Sequence, residues 1–163
     1  MKIELQYEQL ILDAEKAIYW PRRQVLLLAD LHLGKAEHFR KEGIPVPMAV
    51  QTKNLERITF LLKKHTPKRV LFLGDLFHSI YNSSWIIFTD FLKEYPQISF
   101  ELILGNHDIL DNDAYEKGGL ILHQEPYILS PFLLSHHPYD EVVDGLYNFY
   151  GHIHPCVFLH GKG

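Results

Sequence analysis

The residues most able to do chemistry are the eleven histidines, six of which stand beside other polar residues in short blocks. In chain order the blocks read Asp-Leu-His, Gly-Asp, Gly-Asn-His-Asp, His-His and Gly-His-Ile-His. Imidazoles mixed with carboxylate and amide oxygens suit manganese, iron or zinc, and the absence of thiolates disfavours a structural zinc site. The blocks together therefore predict a metal site.

Each block taken alone also has an ordinary explanation. A strand-end Asp-Leu-His is commonly a capping carboxylate with a solvated imidazole, and Asn and Asp serve turns. Two features favour metal binding over these ordinary explanations. Asp75 follows a tight Gly turn, where its two oxygens could face two ions about 3.5–4 Å apart, the clamp that phosphoryl transfer needs. Gly-His-Ile-His, read as an extended segment, places both imidazoles on one face.

An apolar segment precedes every block, which predicts that strands deliver these residues. The segments are residues 25–29, 70–73, 100–104, 132–134 and 146–150. Helical spacing follows Pro47, with Leu55, Ile58 and Leu62, and a second helix starts at Ser83 or Ser84. Open α/β sheets bind ligands at the carboxyl ends of their strands. The sequence therefore predicts one α/β (α+β) domain over residues 1–163, with the blocks at one sheet edge.

Composition narrows the function. A net charge of -4 and a pI near 6.2 argue against a protein that coats nucleic acid by bulk electrostatics. Cys156 is the single cysteine, so no disulfide framework is expected. The amino terminus lacks a signal-peptide pattern and no segment is apolar enough to span a membrane, so a cytoplasmic protein without membrane contact is expected.

From Asp30 to His154 the ordered blocks resemble the signature of the calcineurin-like metallophosphoesterase superfamily. The resemblance implies a four-layer α/β/β/α sandwich and a dinuclear site at the strand carboxyl ends. It implies that one metal is held by Asp30, His32, Asp75 and His154. It implies that the other is held by Asp75, Asn106, His136 and His152. His107 would be the catalytic histidine that moves a proton or contacts phosphate, oriented by Asp108.

Residues around the blocks could hold substrate. Lys35, His38 and Arg40 lie just beyond the first ligands, where they would grip a phosphodiester backbone or simply form a solvated loop. His78 follows the bridging aspartate by three positions. His136 is preferred over His137 as the isolated histidine ligand that the resemblance implies, because it directly follows its strand. His137 would then lie behind it or face substrate.

A closer resemblance rests on "ADLHLGKAEHFRKEGIPVP" together with "YWP", "LGDLFHS" and "HHP". These stretches are similar to the PdeM-type, ligase-associated DNA damage response endonucleases. The resemblance implies a nuclease with two divalent ions, most simply Mn²⁺ with Fe or Zn as alternatives, acting on DNA beside DNA ligase and helicase partners.

Other functions stay open from the sequence. A phosphatase or pyrophosphatase for a nucleotide or lipid precursor is favoured by the acidic net charge. A non-catalytic scaffold of a ligase complex is disfavoured by the His107-Asp108 pair. Relatives continue beyond the position where this chain stops at Gly163. A sheet lacking those last strands would have an open edge, so homo-oligomerisation or reduced stability is expected.

Overall fold

The computed structural model describes residues 1–35, 43, 49–77 and 83–153. The strands in these residues are β1 (Lys2–Leu5), β2 (Glu8–Asp13), β3 (Ala17–Trp20), β4 (Val25–Leu28), β5 (Arg69–Leu73), β6 (Ser99–Ile103), β7 (Leu120–His123), β8 (Tyr127–Leu129), β9 (Phe132–Ser135) and β10 (Tyr147–Tyr150). The helices are α1 (Ala49–His65), α2 (Ser83–Lys93) and α3 (Asn112–Lys117).

The strands form two sheets. Seven of them pair in chain order from β1 to β7, with antiparallel pairing up to β4 and parallel pairing from β4 to β7. The smaller sheet has the order β10-β9-β8, and β10 runs parallel to β9. β4 consists of Val-Leu-Leu-Leu and is buried at every position, as expected for a parallel strand covered on both faces.

Alternate residues of the large sheet supply two apolar cores. Leu26 and Leu28 pack with the helices, whereas Val25 and Leu27 pack with residues of the second sheet such as Phe132. The layers are therefore helices, large sheet and small sheet. The predicted mixed α/β fold is confirmed, and three of the four expected layers lie in the part of the chain that the structure describes.

Helix α1 follows the apolar spacing read from the sequence. Ile58, Leu61 and Leu62 are buried against the sheet, and Lys64 and His65 close its last turn. Both of these basic side chains contact Asp13 of the β2–β3 hairpin at 2.8 Å. Lys64 is the main cause that holds the pKa of Asp13 well below its usual value. The hairpin is thereby fastened to the helix.

A polar network joins the two sheets. Glu101 of β6 is buried and accepts two hydrogen bonds from Arg69, at 2.6 and 2.7 Å. His123 approaches the same carboxylate at 2.6 Å and stacks on Tyr127 of the small sheet. Tyr127 also accepts a hydrogen bond from Arg69 at 3.0 Å. These contacts fix how one sheet sits on the other.

The elements without a detectable sequence pattern include β1 and α3. β1 is short and half-exposed, so it has little periodicity to detect. α3 has six residues and buries Tyr115 alone, too few positions for a helical repeat. Within the described residues, no helix has the length and apolar character needed to cross a bilayer.

Candidate metal centre

The predicted ligands meet at one edge of the fold. Asp30 and Asp75 follow β4 and β5, Asn106 follows β6, and His136 and His152 follow β9 and β10. Backbone hydrogen bonds hold the first two loops side by side: the Asp30 N–H donates to Gly74 O at 3.2 Å, and the His32 N–H donates to Asp75 O at 2.9 Å. Parallel strands therefore bring residues from five parts of the chain together.

Asp75 lies at the centre of this edge and is 2% exposed. Its Oδ1 is 3.3 Å from Nε2 of His136, and its Oδ2 is 4.0 Å from Nε2 of His32. The N–H of His107 donates to Oδ1 at 3.0 Å. The two carboxylate oxygens thus face two different imidazoles, which is the arrangement a bridging ligand requires.

The His136 side of Asp75 has the donor set of a cation site. Nδ1 of His136 donates to the carbonyl oxygen of Leu73 at 3.1 Å, so Nε2 of the neutral ring carries a lone pair. That nitrogen lies 2.9 Å from Oδ1 of Asn106 and 3.2 Å from Nδ1 of His152. The His136 nitrogen and the Asn106 oxygen thus bring two lone pairs together, a repulsion that a cation between them would relieve, and this N/O set suits Mn, Fe or Zn.

The His32 side forms a second group. Ligand atoms of Asp30, His32 and Asp75 all lie within 4.8 Å of one another. Oδ1 of Asp30 accepts the N–H of His152 at 3.0 Å, which ties this group to the first. His154, the predicted fourth ligand here, lies outside the described residues and stays a prediction.

Four of the predicted ligands share an unusual backbone conformation. Their φ angles of 52°, 46°, 50° and 63° are left-handed, in the order Asp30, His32, Asp75 and His152. Such a φ costs most residues about 1–2 kcal/mol, and it is tolerated best by glycine and then by asparagine and aspartate. The expectation of an extended Gly-His-Ile-His was therefore wrong at His152, where a tight turn lets the Ile153 N–H donate to Gly151 O at 2.7 Å. The turn is what brings the ring to His136.

Gly74, directly before the central aspartate, is required by close packing as well as by its φ of 76°. A Cβ at this position would lie 2.2 Å from Nδ1 of His136. Any other residue would displace that imidazole from the carbonyl that orients it. The glycine of the Gly-Asp block therefore belongs to the site.

His107 and Asp108 are adjacent in sequence but point to different surroundings. The His107 ring lies 5.7 Å from the His32 ring at 74°, beside the centre. The Asp108 carboxylate accepts backbone N–H groups of Phe77 and Gly105, each at 2.9 Å. Burial is the main cause that raises its pKa to about 6. Among the described residues, the Asp108 carboxylate bonds to these amides and not to His107. Asp108 therefore holds loops together, whereas the resemblance implied that it would orient the histidine.

Glu125 accepts hydrogen bonds from His136 and from its neighbour His137. One oxygen, Oε2, accepts the N–H groups of His136 and His137 at 2.7 and 3.3 Å, and Oε1 is 2.9 Å from Nδ1 of His137. Burial opposes ionisation of Glu125, but these hydrogen bonds outweigh it and keep its pKa below the ordinary value. No sequence block marks this glutamate, because its position depends on how β8 pairs with β9.

We expect Glu125→Gln to weaken metal binding. The amide would present N–H where His137 needs an acceptor, and changes in groups that orient metal ligands typically cost about 10–100-fold in affinity. Titration with Mn²⁺ by calorimetry measures the effect, and Glu116→Gln on the exposed face of α3 makes the same charge change as a control. A dissociation constant within twofold of wild type would contradict the role given to Glu125.

The other predicted substrate residues divide between described and undescribed positions. Lys35 directly follows the first ligand loop, and its N–H donates to the carbonyl of His32 at 3.2 Å. His137 lies beside the centre, with its ring 4.7 Å from those of His136 and His152. His38, Arg40 and His78 lie outside the described residues. Ligand atoms of His136, His137 and His152 all lie within 4.8 Å of one another, so the choice of His136 over His137 stays a prediction, which the contact of His136 with Asp75 favours.

Comparison with known proteins supports this assignment. The calcineurin-like phosphoesterase family matches residues 23–162 of the chain. The structure is similar to the crystal structure of nuclease MPE from Pseudomonas putida, with a TM-score of 0.81 and 31% sequence identity over 94% of this chain and 73% of that one. No curated protein matches the chain. The family match and the structural match lead to one conclusion: the chain belongs to the calcineurin-like phosphoesterase family and is a hydrolase of phosphoester bonds that depends on divalent metal ions.

Proposed function

We propose that this protein is a nuclease that cleaves phosphodiester bonds in DNA. One observation carries the proposal: the two carboxylate oxygens of Asp75 face His136 and His32, and each of these histidines belongs to a separate group of metal donors. The likeness to a solved protein described as a nuclease supports nucleic acid as the substrate.

Two groups of residues would hold the ions. Asp30, His32 and Asp75, with His154, would bind one, and Asp75, Asn106, His136 and His152 would bind the other. Bound divalent ions would neutralise charge on the phosphoryl group and activate a water molecule for attack. Mn²⁺ is our first choice, with Fe or Zn as alternatives that the same imidazole, carboxylate and amide donors also suit.

His107 is the residue we assign to proton transfer. Its backbone N–H is tied to Asp75 and its ring lies beside that of His32, so the side chain is fixed at the rim of the centre. A histidine here can protonate the leaving oxygen or hold the phosphate as imidazolium. Asn106 is a neutral ligand, which limits negative charge where an anionic substrate must enter.

The biological setting is part of the same proposal. We place the protein in the cytoplasm, acting on DNA in ligase-associated repair with a DNA ligase or helicase as partner. The resemblance of residues 29–47 to that group of endonucleases supports this setting. Co-purification of the tagged chain with a DNA ligase, lost without the tag, would test it.

Three substrates test the chemistry: a single-stranded oligonucleotide, bis(p-nitrophenyl) phosphate and the p-nitrophenyl monoester. We expect Mn²⁺-dependent cleavage of the first two and slower hydrolysis of the monoester, with all activity lost in EDTA. Turnover of the monoester alone would favour a small-molecule phosphatase, which the net charge of -4 also suits. Absence of turnover on every substrate would favour a scaffold.

A further inference from the structure

Among the described residues, three imidazoles meet on the Asn106 side of the metal centre, although the ligand set above uses two of them. The ring centre of His137 lies 4.7 Å from those of His136 and His152, which are 5.0 Å from each other. Ligand nitrogens of the three rings all lie within 4.8 Å of one another. His137 therefore reaches the same space as the two histidines already assigned as ligands.

The ring separations are those that three imidazoles bound to one ion would have. A metal–nitrogen bond is about 2.1 Å long and an imidazole centre lies about 1.1 Å behind its nitrogen, so each ring centre would be about 3.2 Å from the ion. Two ligands at roughly 90–110° around the ion then have ring centres about 4.5–5.2 Å apart. The observed separations of 4.7 and 5.0 Å fall in this interval.

Edge-to-face packing of rings alone gives similar separations, but the orientation of His137 is specific to a ligand. Oε1 of Glu125 lies 2.9 Å from Nδ1 of His137. Although burial opposes it, hydrogen bonds from His137 and His136 keep the pKa of Glu125 below its ordinary value, so the charged carboxylate can only accept. Nδ1 of His137 is then the donor, and Nε2 of the neutral ring carries a lone pair.

This arrangement is typical of histidines that bind metal, which almost always donate their other N–H to a carboxylate, a backbone carbonyl or water. His136 shows it too, with Nδ1 bonded to the carbonyl of Leu73 and Nε2 facing the centre. Oε2 of Glu125 also accepts the backbone N–H groups of both histidines. One carboxylate thus fixes the backbone and the ring of His137, whose side chain is 45% exposed at the edge of the centre.

We propose that His137 is a fifth ligand of the ion whose other ligands would be Asp75, Asn106, His136 and His152. The inference rests on the ligand set of the proposed function and adds a third imidazole to it. Imidazole donors favour ions late in the divalent series, whereas carboxylate donors suit Mn²⁺. The His137 ring therefore makes this position more selective for ions such as Co²⁺ or Zn²⁺ than the carboxylate-rich position around Asp30.

The test is calorimetric titration of the metal-free chain with Co²⁺, together with the visible absorption spectrum of the bound ion. Wild type should bind two ions. We expect His137→Ala to weaken one of them at least about tenfold, because even groups that only orient a ligand contribute about 10–100-fold in affinity. The cobalt absorption band should change with the donor set, and the loss should be smaller for Mn²⁺, which prefers oxygen donors.

His137→Gln keeps an amide that can donate to Glu125 but lacks the imidazole, so it should lose as much affinity as His137→Ala. Wild-type affinity in either variant would overturn the proposal, because His137 would then serve only as a partner of Glu125. Tyr139→Ala truncates a partly exposed ring two positions away and should leave both ions bound, and an equal loss there would also overturn the proposal. Asp75→Ala tests the underlying ligand set separately: two ions bound in that variant would refute the set itself.

Discussion

Replacement of Asp75 by alanine is expected to lower kcat for bis(p-nitrophenyl) phosphate by about a thousandfold or more. This carboxylate faces both donor groups, at 3.3 Å from His136 and 4.0 Å from His32, so its loss affects both ions. Metal ions contribute several kcal/mol of charge stabilisation to such reactions, and each 1.4 kcal/mol corresponds to about tenfold in rate. Metal content by mass spectrometry should fall along with the rate.

His107→Asn provides the contrasting variant. We expect it to lower kcat about a hundredfold, because general acid catalysis is lost, while two ions stay bound. The pair of variants thus separates a metal ligand from a proton-transfer residue at neighbouring positions. Full turnover in Asp75→Ala would refute the two-metal assignment, and loss of metal in His107→Asn would make that histidine a ligand.

Replacement of Glu101 by glutamine is expected to be the most damaging change away from the metal centre. The Glu101 side chain is 4% exposed and binds Arg69 and His123. Removal of one partner from a buried ion pair leaves an uncompensated charge and costs about 3–5 kcal/mol. A chain of this size loses about 2–4 °C in Tm per kcal/mol, so Tm should fall by about 10 °C.

Lowering the pH should also reduce the Tm of the wild-type protein. Burial alone would raise the pKa of Glu101, but hydrogen bonds from Arg69 and His123 outweigh it and hold the folded-state pKa below the ordinary 4.5. A depressed pKa means that the carboxylate stabilises the fold above pH 4.5 and that this contribution is lost as the pH falls below that value. The fall in Tm between pH 6 and pH 3 should be smaller in Glu101→Gln than in wild type, because the other carboxylates with depressed pKa values, Asp13 and Glu125, still titrate in both.

The exposed pair between Lys93 and Asp90 on α2 is the control for Glu101. These side chains are 70% and 62% exposed, and surface pairs of this kind contribute about 0–1 kcal/mol. Lys93→Ala should therefore shift Tm by less than about 4 °C. A shift equally small for Glu101→Gln would show that the buried network does not hold the two sheets together.

The position of the metal centre could be predicted because it depends on strand order. An apolar strand followed by Asp75 or Asn106 is visible in the sequence, and parallel strands must end at one edge. Contacts inferred only because two residues are adjacent in the sequence were predicted less well. Asp108 follows His107 directly, yet its carboxylate turns to the amides of Phe77 and Gly105.

Side-chain contacts between segments that are not adjacent in the sequence could not be predicted. Glu125 reaches His137, and Tyr127 reaches Arg69, through packing that leaves no periodic trace in either segment. The stacking of His123 on Tyr127 is likewise set by sheet-on-sheet geometry. Local patterns locate ligands, whereas the groups that support them are found only in three dimensions.

The left-handed backbone conformation at the ligands matters for any attempt to raise the thermal stability of this protein. Glycine would relax the backbone at Asp30, Asp75 or His152, so screening for heat resistance alone would favour variants that have lost metal ligands. Lys16 and Gln24 have the same backbone, with φ of 57° and 54°, but lie outside the ligand set. Substitutions that raise thermal stability without loss of activity should therefore be made at such turns, and the metal ligands should be kept.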